Sequence, residues 1–221
     1  MSSNIKINND LLEVINFEKW LDYKVFFWLV NLKVNQSVLI VKHSEVMKGI
    51  NNKTRGSSNK CVRKIILGFR ELYFETKKRK HCVIEKVEEV GRTFKDLHYK
   101  IYLHDSIKYL INAPMIKYTT LNLDVILSIS NIHEMRLYLL LSRIIISKEG
   151  NYRIPVICDN NYTNSAVWIV GDTQNYRDNP RIIRDRFIKA FLSAAKLFEN
   201  YIFDCKLNGK MEFIVSYKKI K

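Results

Sequence analysis

The same succession of segments occurs twice along this chain of 221 residues: a strongly apolar helix, a shorter stretch, a basic amphipathic helix and a pair of β-like runs. In the first copy, residues 20–33 are long enough for about three to four helical turns and are apolar around most of the circumference, so this helix must be buried on nearly all sides. Residues 37–41 form a short β-rich run, 43–50 can make two helical turns, and 51–58 are polar and loop-like. Ser58 is a suitable N-cap for a helix over 59–74, with Val62, Ile65, Ile66, Phe69, Leu72 and Tyr73 on one stripe. Lys60, Arg63, Lys64 and Arg70 occupy its opposite face and flanks. The basic run Lys77, Lys78, Arg79 and Lys80 then leads into two β-like segments, 82–87 and 98–103, which read as a hairpin.

In the second copy, residues 133–146 are again a strongly apolar helix, 152–170 read as irregular and 171–179 as a polar loop. Pro180 suits a first helical turn. Over 180–199, Ile183, Phe187, Ala190, Phe191, Ala194 and Phe198 share one face, with Arg181, Lys189 and Lys196 opposite and Arg184 and Arg186 at the edges. Asn208-Gly209, followed by Lys210, sits between β-like runs at 201–207 and 211–217 and is the strongest hairpin signal in the chain. Residues 105–121 hold the junction, where Asn112-Ala113-Pro114 breaks any continuing helix and 116–129 read mostly as strand.

This order is that of a helix-turn-helix with an attached wing, met twice. The expected fold is therefore α+β, two tandem winged-helix domains at 10–112 and 113–221.

The net charge is +15 and the pI about 9.6. Residues up to Leu110 hold 21 basic and 12 acidic side chains (+9) and the remainder 16 and 10 (+6), so the excess is not a basic tail on a neutral body. Such a field attracts polyanions, and nucleic acid is the first partner it suggests. Arg181, Arg184, Arg186, Lys189 and Lys196 are the candidate DNA contacts of the second domain, with Lys210 on its wing. Lys60, Arg63, Lys64 and Arg70 are those of the first, and Lys77 to Lys80 suit phosphate better than bases, because flexible lysines supply charge but little geometry.

Catalysis finds little support. Cys61, Cys82, Cys158 and Cys205 are far apart with no Cys-x-x-Cys, and only His81 adjoins one of them, so no zinc or other metal site is expected. No His-hydrophobe-His pair and no Walker loop occurs, so neither an enzyme nor a cofactor is expected, and the five histidines read as surface or capping residues. Seven glycines and three prolines argue against linker-rich or collagen-like chains. No run of 18 apolar residues occurs and residues 1–9 are polar, which predicts a cytoplasmic protein with no membrane segment.

Trp20, Tyr23, Phe26, Phe27 and Trp28 could stack on single-stranded bases, but helical spacing within an apolar segment makes them core. The surplus apolar face at Phe26, Phe27 and Trp28 is a candidate contact with a second copy.

Residues 121–130, a strand-like run, followed by Arg136-Leu137-Tyr138 and further leucines, resemble the replication initiators of iteron-type plasmids, in which a strand leads into an Arg-Leu-Tyr-aliphatic helix opening the second domain. Tyr176 and residues 180–197 also fit, and the resemblance in order and pattern covers most of the chain from Asp22 to Tyr217. It implies two pseudo-symmetric winged-helix domains that bind duplex origin repeats and promote opening of adjacent AT-rich DNA. It also implies homodimers through the first domain, monomers when initiating, and contacts with host replication proteins. The residues leave open a transcriptional repressor of the same fold, a metal-dependent DNA-processing enzyme and an RNA- or membrane-binding module.

Overall fold

A computed structural model describes residues 4–32, 37–51, 56–70, 72–75, 80–105, 118–145, 147–156, 165–171 and 180–220. Ile5 and Ile7 alternate with polar neighbours and are wholly buried, which makes the polar-looking start of the chain a strand, β1 (Asn4–Asn8). It passes directly into α1 (Asn9–Val14), followed by α2 (Trp20–Leu32), β2 (Val38–Lys42), α3 (His43–Gly49), α4 (Gly56–Gly68), β3 (Leu72–Glu75), β4 (Lys80–Val90) and β5 (His98–Leu103). The succession then restarts with β6 (Tyr118–Asn122), α5 (Leu123–Ser128), α6 (Ile132–Ile144), β7 (Glu149–Pro155), α7 (Ala166–Val170), α8 (Pro180–Ala195), β8 (Tyr201–Leu207) and β9 (Glu212–Lys219). The protein is α+β. Apart from β3, the described elements of the two halves follow one order.

The sheets repeat the plan. β2, β5, β4 and β3 form a four-stranded sheet in that order, and β7, β9 and β8 a three-stranded one, all pairs antiparallel. In both, the strand before the last two helices lies beside the final strand, with its hairpin partner on the far side. β1 and β6, the leading strands of the two halves, pair with each other, Asn4 opposite Asn122 and Asn8 opposite Tyr118.

That pairing moves the expected boundary. Residues up to Ile129 pack as one unit and those from Ser130 as another, so the division lies well past residue 112. Residues 118–129 stay with the first unit because β6 pairs with β1 and because the Lys24 amine of α2 donates to the Leu127 carbonyl of α5.

Three local expectations are corrected. Residues 116–129 are not mostly strand: the Asn122 side chain accepts from the Asp124 and Val125 amides at 2.9 and 3.3 Å, and this cap starts a helix at Leu123. The helix expected to reach residue 74 ends at Gly68, and the chain turns through Phe69 and Arg70 into β3, taking Leu72 and Tyr73 out of the helical stripe. The region read as irregular from 152 contains most of β7, and residues 166–170 are helical, with the Ser165 hydroxyl accepting from the Trp168 amide.

α2 is buried almost all round, as its composition predicts. Phe26 and Phe27 have no exposed surface and touch each other and neighbouring aromatic rings, Phe26 meeting Phe69 edge-on at 6.2 Å. They are core side chains and cannot form a contact with a second copy while the unit is folded. Trp28 is half-buried, with Gly49 beneath its indole: a β-carbon on that glycine would run into the ring. In the second unit Phe187 stacks on Phe213 at 4.2 Å, and Phe191, Ile183, Ile154 and Val215 complete the centre.

Candidate nucleic-acid interface

α8 is anchored by Ile183, Phe187, Phe191 and Ala194, all buried and spaced by three or four residues, which seats one face on α6 and α7. That seating fixes what faces outward. Arg181, Arg184, Arg186 and Lys189 are exposed, with Lys196 exposed just past the helix end. Asp185 is the only acid on α8, and its carboxylate accepts from the Arg184 guanidinium at 2.9 Å. Glu134 of α6 takes a hydrogen bond from Ser193 at 3.0 Å, a further tie between the two helices.

The first unit presents its cations differently. Val62 and Ile66 bury one face of α4, leaving Lys60, Arg63 and Lys64 exposed. Arg63, however, makes a forked pair with Glu89 of β4, donating at 2.7 and 2.6 Å. Arg70 lies beyond the helix end and donates to the Val87 carbonyl at 3.2 Å. Two of the four expected contacts are thus engaged with β4, and the outward charge of α4 rests on Lys60 and Lys64.

The position of α4 depends on a residue the sequence did not single out. His43 is buried, its Nδ1 lying 2.7 Å from the Tyr99 hydroxyl and its Nε2 3.3 Å from the Asn59 amide oxygen. The amide oxygen can only accept, so Nε2 carries the proton and Nδ1 accepts from the tyrosine, a neutral imidazole joining α3, α4 and β5. Burial holds the His43 pKa below its usual range and pushes that of Tyr99 up. In the second unit, half-buried His133 donates from Nδ1 to the Ile169 carbonyl at 2.9 Å, and its pKa is lowered chiefly by burial. His43 is not the surface or capping histidine expected, because a buried neutral imidazole leaves no signature in composition, whereas His133 does cap, meeting a last-turn carbonyl of α7.

The second hairpin turns through Asn208, whose side chain accepts from the Lys210 and Glu212 amides at 2.9 and 3.0 Å. Met211, not Gly209, takes the left-handed conformation, at φ 57°. Lys210 is exposed there, and Lys218 and Lys219 at the end of β9 are exposed cations missed in the sequence reading because they follow an apolar strand. Lys77, Lys78 and Arg79 lie outside the described residues, as do Tyr176 and Cys158, and Lys80 opens β4.

Arg136, the arginine of the Arg-Leu-Tyr run, is buried. It donates to the Trp168 carbonyl at 2.7 Å and lies over that residue's indole, 4.6 Å from the ring centre. Tyr138 is buried against Phe198, and Leu137 is in the core. The run builds the second unit's interior; it does not belong to its charged face. Among the described residues no group of three or more His, Cys, Asp or Glu is placed to hold a metal ion, and no helix is long and apolar enough to cross a membrane.

No protein-family model and no curated protein matches the sequence. Among solved structures, the chain is similar to the Pi initiator protein in complex with iteron DNA, with a TM-score of 0.67 over 100% of this chain and 98% of that one, at 13% sequence identity. The two proteins share a fold over their whole length.

Proposed function

We propose that this protein is a sequence-specific duplex DNA-binding protein that initiates plasmid-type replication. It binds repeats at an origin and promotes opening of adjacent AT-rich DNA without a catalytic step, metal or cofactor of its own. Both units are winged-helix domains in this reading, with α3–α4 and α7–α8 as the helix-turn-helix pairs and β4–β5 and β8–β9 as wings. What carries the proposal is the placement of α8: an element that precedes a hairpin, is seated by four buried residues and turns four exposed cations outward. A protein of the same fold whose solved structure holds iteron DNA supports it. α8 would read base edges in a major groove, while Lys60 and Lys64 of α4 and the wing lysines would hold phosphates.

Self-association and contacts with host replication proteins in the cytoplasm belong to the same proposal. Any contact between copies must use a surface other than Phe26 and Phe27. The test is a nuclease footprint of the full chain on the DNA adjoining its own coding sequence. Protected direct repeats beside an AT-rich tract, whose deletion stops replication of a plasmid carrying the gene, are the expected result. Protection of a single inverted repeat that replication does not need would make the protein a repressor.

A further inference from the structure

We propose that Ile182 reads the 5-methyl group of a thymine in the major groove, making it a specificity-determining residue of α8. The inference rests on the reading of α8 as the helix that enters the groove and names one chemical feature it selects.

Ile182 is 38% exposed on the helix, beside two isoleucine- and phenylalanine-bearing positions, Ile183 and Phe187, that are fully buried. Helical spacing places Ile182, Asp185, Arg186 and Lys189 on one outward stripe, an apolar side chain at the head of a charged row. The first residues of such a helix are the ones that reach base edges. Arg181, Arg184 and Arg186 nearby can take phosphate or guanine, but an aliphatic side chain can bond with neither. In the major groove the one apolar feature on a base edge is the thymine methyl. Isoleucine is also branched at Cβ and stiff about χ1, so its methyl groups are presented in a fixed direction at little further entropic cost.

Leu192 supplies an internal comparison. It is 57% exposed on the outward side of the same helix, yet ten residues further on, about 15 Å along the axis. A helix entering the groove by its first turns leaves Leu192 away from the bases.

The probe is the duplex that the wild-type full chain enriches from a random-sequence library, with each thymine replaced singly by uracil, which removes only the methyl. At one position uracil should weaken binding about fourfold, the equivalent of about 0.8 kcal/mol for one buried methyl-sized group. Ile182→Ala should bind the thymine duplex about fourfold more weakly and no longer distinguish thymine from uracil there, whereas Leu192→Ala should keep the distinction. Circular dichroism of each variant confirms the fold, and Ile182→Val should retain most of the effect. The inference is overturned if Ile182→Ala still distinguishes the two bases, if Leu192→Ala alone loses the distinction, or if no thymine matters. Failure to enrich any duplex would instead defeat the DNA-binding reading on which it rests.

Discussion

Lys24 and Arg136 occupy the same place, fifth, in two helices of thirteen residues, and both are buried with the cationic end donating to a main-chain carbonyl of a short helix. Lys24 reaches Leu127 and Arg136 reaches Trp168; each also lies 4.6 Å from the centre of an indole ring, Trp20 in one case and Trp168 in the other. A buried cation is costly unless its donors are satisfied, so finding one at the same place in each half extends the repeat from element order to the chemistry of single side chains. Desolvation holds the Lys24 pKa below its usual value.

Arg136→Met keeps the aliphatic stem but strips the Trp168 carbonyl of its donor, at a cost of about 1–3 kcal/mol. Urea denaturation should register that loss, and amide exchange should speed up in residues 166–170. Unchanged exchange there would mean that α7 is held by its apolar contacts alone.

The two basic helices should respond differently to substitution. Arg181→Ala or Lys189→Ala should include a variant that loses about 1–3 kcal/mol of discrimination while non-specific affinity survives, as expected for lost base contacts. Lys60→Ala and Lys64→Ala should weaken all sequences together and lower the salt slope by about one each. Competition between the footprinted site and scrambled duplex separates the outcomes, and the reverse pattern would make α4 the reader.

Glu89 restrains Arg63 through the forked pair. Glu89→Gln removes one negative charge and releases the guanidinium, so duplex affinity should rise and its salt dependence steepen by up to about one further counterion. Fluorescence anisotropy across a salt series measures both. No change would indicate that Arg63 faces no phosphate.

Phe26→Glu should unfold the first unit and not merely separate copies, since an unpaired carboxylate at a fully buried site costs several kcal/mol. Loss of circular dichroism alongside any change in sedimentation is the expected result. A folded monomeric variant would place Phe26 at an interface after all.

Acid should loosen the first unit through His43. Burial lowers its pKa in the folded protein, so the unfolded chain takes up a proton first as pH drops below the ordinary value of 6.5. Stability from the neutral imidazole is therefore complete above that pH and is lost as pH falls towards the lowered folded value. His43→Asn, which does not titrate, should flatten the fall in unfolding midpoint between neutral and mildly acid pH. His133 shares the direction in the second unit and should account for a residual slope.

Much of this fold is legible in the sequence where a pattern is strong over many residues. α2 and α8 declare themselves by apolar spacing, and Asn208-Gly209 marks its hairpin, although the left-handed residue proved to be Met211. What escapes is set by single contacts. β1 is only five residues long, and its two isoleucines mean nothing until β6 lies beside them. Residues 123–128 read as strand because Val125 and Ile126 are β-branched, and one asparagine cap outweighs that preference. The charged face of α8 is equally plain, but the engagement of Arg63 and Arg70 depends on partners on β4 that no local pattern reveals.

The pairing of β1 with β6 also bears on how the chain is made. During synthesis the N-terminal region emerges first and can begin to fold at once. Yet Ile5 and Ile7 find their partner strand only when Tyr118 to Asn122 have left the ribosome, more than a hundred residues later. Until then the first unit lacks one of its two sheets and must keep a strand edge and two isoleucines waiting, which exposes it to pairing with other nascent chains. The second half thus completes the first before it completes itself, and a fragment stopped at residue 112 would carry that open edge permanently.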